Sequence, residues 1–279
     1  MADTIPPGAK GLVFALTWQK SAEPIGQRFA DFAAWLGREV GLKITPRVAL
    51  SYEELARMFR AGEVDLAWLP PIVFVRLEQD KIAVPLVSHL RATQSSYESV
   101  LIVRSDSKIR TLDGLRGTRA GWVDPWSAAG YVLPRIKLAA LGVDPRTLFL
   151  DEKFFGSHDA VVRALLADKV DVGGTFARLD RHGTVARGGW SEVKDADAAV
   201  RVLTTFGPIP SDVTVARASL PPEQQQALAH AMVKASREES VKDVVQQIFG
   251  VEEFREDGIP SYETLRRALD MARARGLVE

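Results

Sequence analysis

Cysteine is absent from all 279 residues. That removes disulfides, thiolate metal sites and cysteine nucleophiles together, and leaves the compartment open. Histidine is scarce. His89, His158, His182 and His230 stand isolated, with no His-x-x-x-His pair and no glutamate at ligand spacing, so no metal is expected. Net charge is missing too: Lys and Arg number 36 against 36 Asp and Glu. That balance argues against a nucleic-acid or anionic-membrane partner. No stretch reaches the roughly 18 apolar residues of a membrane span. Gly-x-Ser-x-Gly elbows, phosphate loops, repeats and low-complexity tracts are lacking, and neither a cofactor nor a catalytic residue is assigned. The opening Met1-Ala2-Asp3-Thr4-Ile5-Pro6-Pro7 has no basic segment followed by an apolar run and does not read as a signal peptide. The expected location is therefore periplasmic or extracytoplasmic if a leader was removed, and otherwise cytoplasmic.

What is present is a soluble globular composition, 46% apolar and 26% charged, long enough for one large or two medium domains. Gly11–Thr17 is continuously apolar and predicts a buried parallel strand. Residues 24–40 carry Phe29, Phe32, Trp35, Leu36 and Val40 at helical spacing, with Gly41 as a stop. After a second strand, Ile44–Ala49, Ser51 and Glu54 stand at capping-box spacing ahead of Leu55, Met58 and Phe59. A third strand, Val64–Leu69, is closed by Pro70-Pro71. Further strands are expected over Val84–His89, Ser99–Arg104, Arg119–Val123 and Val200–Phe206, and the tail reads as helical, ending with Ser261–Arg275.

Such alternation predicts an α/β protein of two lobes, each a mainly parallel sheet flanked by helices. One lobe would combine residues 1–98 with 207–279, the other would hold 105–202, and a two-strand hinge would lie near 99–104 and 203–206. Ligands of open α/β sheets sit beyond strand C-termini. The loops after Thr17, Ala49, Leu69, Val123 and Gly173 are therefore expected to face one interlobe cleft.

The stretch from Ala120 to Pro134 organises this plan. Asp124-Pro125 is a turn signal. Ser127 is a good helix N-cap, and Ala128, Ala129 and Gly130 open the first turn with small side chains. A terminus of that kind leaves backbone N–H groups bare, and free donors plus the helix dipole attract an anion. The plainer alternative is an ordinary capped helix.

Several pieces in order resemble one known family: Tyr52 before a helix; Gly62-Glu63-Val64-Asp65-Leu66-Ala67 with Pro70 after it; Tyr97-Glu98-Ser99-Val100-Leu101; and Leu112-Asp113-Gly114-Leu115-Arg116-Gly117. They continue with Val123-Asp124-Pro125-x-Ser127-x-x-Gly130-Tyr131-x-x-Pro134, Gly156-Ser157-His158-Asp159, Val170-Asp171-Val172 and Pro208-Ile209-Pro210-x-Asp212. The series is similar to the substrate-binding proteins of phosphate, phosphite and phosphonate ABC transporters, which have the type II periplasmic-binding fold. The resemblance implies a monomeric solute-binding protein that closes on a small anionic or zwitterionic, phosphonate-like ligand and works with an ABC permease. It also implies a site made of Tyr52, Tyr97, Ser127, the N–H groups of Ala128, Ala129 and Gly130, His158 and Asp212.

Departures from the family shape the expected ligand. Ala128 and Ala129 replace hydroxyl residues, removing donors worth on the order of 1–3 kcal/mol each when buried. No carboxylate stands near 175–178 to hold a ligand amine. Trp18, Trp68 and Trp126 fall on or beside the expected cleft loops, which favours a larger, flatter or more apolar ligand, or a quaternary ammonium held by cation–π attraction.

Each residue also has a plainer reading. His158 can be a neutral helix cap, and Tyr52 and Tyr97 core tyrosines. Trp35 is expected in the core and Trp190 in a surface turn. Arg178, Arg181 and His182 read as a solvated face rather than a wall for a carboxylate. The alternative function is an intracellular enzyme or a ligand-sensing module on the same fold, acting on a small acid, aromatic or not, with Asp124, His158 or Asp212 as the proton-transfer group.

Overall fold

A computed structural model describes residues 11–18, 25–91, 96–191 and 193–278. Met1–Pro7 and Pro24, where the first helix is expected to begin, lie outside the described residues. The chain divides into two compact units. Over the described residues the first holds 11–18, 25–91 and 211–261, and the second holds 96–191, 193–210 and 262–278.

The first unit opens with β1 (Leu12–Thr17), α1 (Gly26–Val40), β2 (Ile44–Ala49), α2 (Tyr52–Arg60), β3 (Leu66–Leu69), α3 (Pro71–Gln79) and β4 (Ala83–Leu90). The stripe on α1 is buried, and Gly41 ends that helix at φ 67°, a left-handed conformation that suits a residue without Cβ. The Ser51 cap on α2 forms as its spacing predicts: Ser51 Oγ accepts from the Glu54 N–H at 3.1 Å. The Glu54 carboxylate accepts from the Leu50 N–H, one residue ahead of the cap. Helix α3 is not evident in the sequence. Its residues 71–77 are all buried, so it lacks the polar face that makes a helical period legible.

The second unit follows with β5 (Ser96–Arg104), β6 (Arg119–Trp122), a π-helical turn (Ala128–Val132), α4 (Leu133–Ala140), α5 (Pro145–Leu148) and β7 (Asp151–Phe154). It continues with α6 (His158–Leu166), β8 (Val172–Leu179), β9 (Val185–Gly188), α7 (Ala196–Ala199) and β10 (Val200–Pro210). The chain then adds β11 (Val213–Arg217), α8 (Pro222–Ala235), α9 (Lys242–Phe249) and β12 (Glu253–Arg255) to the first unit, and α10 (Glu263–Ala274) to the second.

The first sheet runs β12-β4-β11-β3-β1-β2, and the second β10-β5-β8-β6-β7 with β9 on β8. Both are mixed. β1 is parallel to β2 and β3, and β6 to β7 and β8. The expectation of mainly parallel sheets fails elsewhere, because β11 inserts antiparallel between β3 and β4, and β5 lies antiparallel to both β8 and β10. Both sets of partners are far apart in the chain: β11 follows β3 and β4 by more than a hundred residues, and α4, α5 and α6 lie between β5 and β8.

Two assignments change in the structure. Residues 99–104 and 203–206, expected as a hinge, lie within β5 and β10, paired in the second unit's sheet. The terminal helix, expected in the first lobe, packs in the second unit: α10 buries Leu265, Leu269 and Ala272, and Arg135 Nε of α4 donates to the Leu277 carbonyl at 2.8 Å.

An aromatic cluster fills the first unit. Phe14 meets Phe29 at 5.2 Å between ring centres, and Phe249 meets both Phe32 and Trp68 at the same distance. Trp35 stacks on Phe32, inside the core. The second unit's core holds Val100, Ile102, Val162, Leu165 and, contrary to the surface turn expected, Trp190. The Trp190 ring lies over Gly188, whose Cβ would come within 2.5 Å of it, so Gly188 serves as a seat rather than an exposed corner. No described helix is long and apolar enough to cross a membrane.

Candidate functional site

The candidates divide between the units. Tyr97, Trp126, Ser127, Ala128, Ala129, Gly130 and His158 belong to the second; Trp18, Tyr52, Trp68 and Asp212 belong to the first.

In the second unit, β6 gives way to a tight turn. Asp124 Oδ1 accepts from the Trp126 N–H at 2.8 Å, and the Asp124 carbonyl accepts from Ser127 N–H at 2.9 Å. Ser127 then caps the π-helical turn: its Oγ accepts from the Gly130 N–H at 3.0 Å, and its carbonyl accepts from Tyr131 and Val132. The Gly130 N–H, expected to be bare, is thereby consumed. The N–H groups of Ala128 and Ala129 have no acceptor among the described residues. The first turn holds no acidic side chain to quench them. The turn is π rather than α, a local widening that recurs at functional sites.

Packing enforces this conformation. A Cβ at Gly130 would lie 2.4 Å from Val123 Cγ2 and 2.9 Å from Ser127 Oγ. Beneath it, a Cβ at Gly174 would meet the Trp122 ring at 2.7 Å and the Gly130 carbonyl at 2.9 Å. Ser99 Oγ of β5 donates to the Ala129 carbonyl at 2.7 Å and pins the turn to the sheet. Trp126, Ser127, Ala128 and Ala129 are all buried.

The β7–α6 connection lies alongside. Phe155 N–H donates to the Trp122 carbonyl and Gly156 N–H to the Val123 carbonyl. Ser157, not His158, caps α6, accepting from the Ala160 N–H. His158 Nδ1 is 2.9 Å from Thr175 Oγ1, and its ring meets Phe176 edge-on at 5.0 Å. His158 keeps some surface open, yet the atoms packed around it desolvate the imidazole and push its pKa down to about 4, against a smaller opposing pull from Asp159. It is neutral near pH 7. Tyr97 touches the same Phe176 ring at 6.3 Å. Arg178, expected on a solvated face, lies over the Tyr97 ring at 5.5 Å and donates from Nη1 to the Ser96 carbonyl.

In the first unit, the register places Val213 of β11 opposite Leu69 and Ser88. Asp212, Arg91 and the end of β3 therefore emerge at one edge, the edge where parallel β1 and β3 terminate. Arg91 Nη2 donates to Asp212 Oδ2 at 3.0 Å, and Nε and Nη2 donate to the Phe249 carbonyl at 3.2 and 2.8 Å. The Arg91 guanidinium lies 6.0 Å from the Trp68 ring centre. Trp18 is half-buried after β1, packed against the aromatic core. Tyr52 is buried at the first position of α2.

Sequence reasoning overlooked Arg91, Ser99, Thr175 and Phe176. Ser99 and Phe176 are paired across β5 and β8, and only that pairing brings them to the turn. Arg91 and Asp212 are likewise distant in the chain. Among the described residues, no group of three or more His, Asp and Glu is placed to hold a metal ion.

The model of a family described as the periplasmic substrate-binding protein of a phosphonate ABC transporter matches residues 14–257. Solved structures share the fold. PhnD1 from Prochlorococcus marinus, in complex with methylphosphonate, superposes with a TM-score of 0.78 at 16% identity, over 96% of this chain and 99% of that one. A binding-protein component of an ABC phosphonate transporter from Pseudomonas aeruginosa gives 0.74 at 20% identity, over 95% of each chain. A Xanthomonas citri protein bound to ATP gives 0.74 at 21%, over 96% of this chain and 100% of that one.

Proposed function

The chain belongs to the periplasmic substrate-binding proteins of phosphonate ABC transporters, and from that premise we propose that it captures a small phosphonate-like oxyanion at the turn 127–130 and hands it to a permease without turning it over. The observation that carries this reading is the pair of acceptor-less N–H groups at Ala128 and Ala129, beside the Ser127 hydroxyl and in a first turn without a carboxylate. Backbone donors at a helix start suit a tetrahedral oxyanion, because donors and dipole act together. Neutral His158 and the Tyr97 hydroxyl add uncharged polar groups nearby. Their lack of positive charge fits a receptor that must release its solute as well as bind it.

The absence of turnover is supported by the state of the proton-transfer candidates. Asp124 accepts from the Trp126 N–H, Asp212 is paired with Arg91, and His158 sits with its pKa near 4, well below neutrality. Release outside the cytoplasm, as the family's periplasmic role implies, completes the reading.

Isothermal titration calorimetry with methylphosphonate, phosphite and phosphate tests it. We expect saturable binding of at least one, with phosphorus NMR showing the ligand chemically unchanged after prolonged incubation. No binding to any of them, or a new phosphorus resonance dependent on the protein, would overturn the reading.

A further inference from the structure

We infer that Phe176 selects the solute's organic part, as an apolar floor beside the turn 127–130, so that the preferred ligand is a phosphonate with a short alkyl or aryl group rather than an aminoalkyl one. That preference rests on the phosphonate reading above and narrows its substrate class. Every residue involved lies in the second unit.

Strand register brings Phe176 to the turn. β8 pairs with β6 through Val172 and Gly173 and then runs on to Leu179, past the level of Trp122, where β6 ends. Phe176 therefore stands beyond that strand end, from which the turn departs. Its partner on β5 is Ser99, and directly opposed residues of antiparallel strands stand about 5 Å apart on one face. Ser99 Oγ is the group that donates to the Ala129 carbonyl at 2.7 Å. Phe176 and the proposed oxyanion site thus share a face of the sheet. The neutral His158 ring lies 5.0 Å from the Phe176 ring at 90°, and the Tyr97 ring 6.3 Å from it at 89°. Phe176 itself is only half-buried. Two rings at right angles to a third make an apolar corner. An alkyl or aryl group leaving water for it gains about fourfold in affinity per buried methylene.

An ammonium is disfavoured at the same place. Residues 175–178 carry no carboxylate. Asp159, next to His158 in the chain, is buried and engaged by Ser157 Oγ and Arg163. Glu98 turns its carboxyl towards Gly207 of β10, away from β8. The Tyr97 ring could hold a cation, yet it already lies 5.5 Å from the Arg178 guanidinium, which is anchored by Nη1 on the Ser96 carbonyl. Arg178 follows Phe176 by two positions along β8, so the two share a face about 7 Å apart along the strand. A ligand cation on Phe176 would meet that guanidinium as a like charge.

Calorimetry with methylphosphonate, propylphosphonate and 2-aminoethylphosphonate, on the wild type and on Phe176→Leu and Phe176→Thr, tests this. The last two ligands differ only in a terminal methyl against an ammonium. We expect propylphosphonate to bind the wild type at least about fivefold tighter than methylphosphonate and at least about tenfold tighter than 2-aminoethylphosphonate. Leucine keeps an apolar floor and should leave propylphosphonate affinity within about threefold of wild type. Threonine suits a strand but is short and polar; it should weaken propylphosphonate about five- to thirtyfold and methylphosphonate less than about threefold. A merely structural role would weaken both alike. Should Phe176→Thr fail to fold, the wild-type ranking decides. Methylphosphonate binding with no advantage for propylphosphonate over 2-aminoethylphosphonate, or an advantage that Phe176→Thr leaves intact, would overturn the floor and spare the phosphonate reading. Binding of none of the three overturns the floor, and the phosphonate reading with it if phosphite and phosphate fail too.

Discussion

The turns that open α2 and that precede α4 begin alike, from a serine cap after a strand, and end differently. Ser51 and Ser127 each accept a hydrogen bond from the N–H three residues on. At α2 the first turn carries Glu53 and Glu54, and the Glu54 carboxylate binds the Leu50 N–H, so the positive end of the helix is quenched by the chain itself. At 127–130 the same positions hold alanine, alanine and glycine, the turn widens to π, and two N–H groups keep no acceptor among the described residues. On the proposed reading, a serine cap alone does not make an anion site; the lack of an internal carboxylate does, together with small side chains that let a ligand reach the backbone.

Making the second turn resemble the first should have the largest effect. Ser127→Asp keeps a good cap but places a carboxylate where the oxyanion is proposed to sit. We expect at least about a hundredfold loss of methylphosphonate affinity by calorimetry. Equal affinity would break the comparison. Next in size is Gly130→Ala. The added Cβ clashes with Val123 and Ser127, and urea denaturation should report about 1–3 kcal/mol of destabilisation.

A smaller, pH-dependent effect sharpens the contrast further. His158 is held at about 4 against an ordinary 6.5, so below pH 6.5 the unfolded chain takes up a proton that the folded chain refuses. The His158 contribution is intact above pH 6.5, falls as pH drops from there towards 4, and then levels off, at a slope of at most about 1.4 kcal/mol per pH unit. His158→Gln should flatten that part of the stability profile; an unchanged profile would mean the imidazole is not desolvated. Smallest is Glu54→Ala, expected to cost about 1 kcal/mol of stability and to leave phosphonate binding untouched.

These contrasts also explain what the sequence made legible. The caps at Ser51, Ser127 and Ser157, the stripe on α1 and the Asp124-Pro125 turn depend on residues within four or five positions, and they read correctly. Helix α3 escaped because burial on all sides erased its period. The antiparallel entry of β11, the docking of α10 beside α4, and the salt bridge between Arg91 and Asp212 all depend on partners far along the chain, which no local pattern encodes. The bare amides were legible in kind but not in number: the Gly130 N–H was expected to be free, and the Ser127 hydroxyl takes it. Arg178 was misread for a related reason, since the polar end of a strand looks solvated until Tyr97 is seen beneath it.

The most direct test is an amide NMR titration of alanine-labelled protein with methylphosphonate. We expect the Ala128 and Ala129 N–H resonances to move downfield, with the saturation curve measured by calorimetry. Phosphonate binding that leaves both resonances where they were would contradict the central claim.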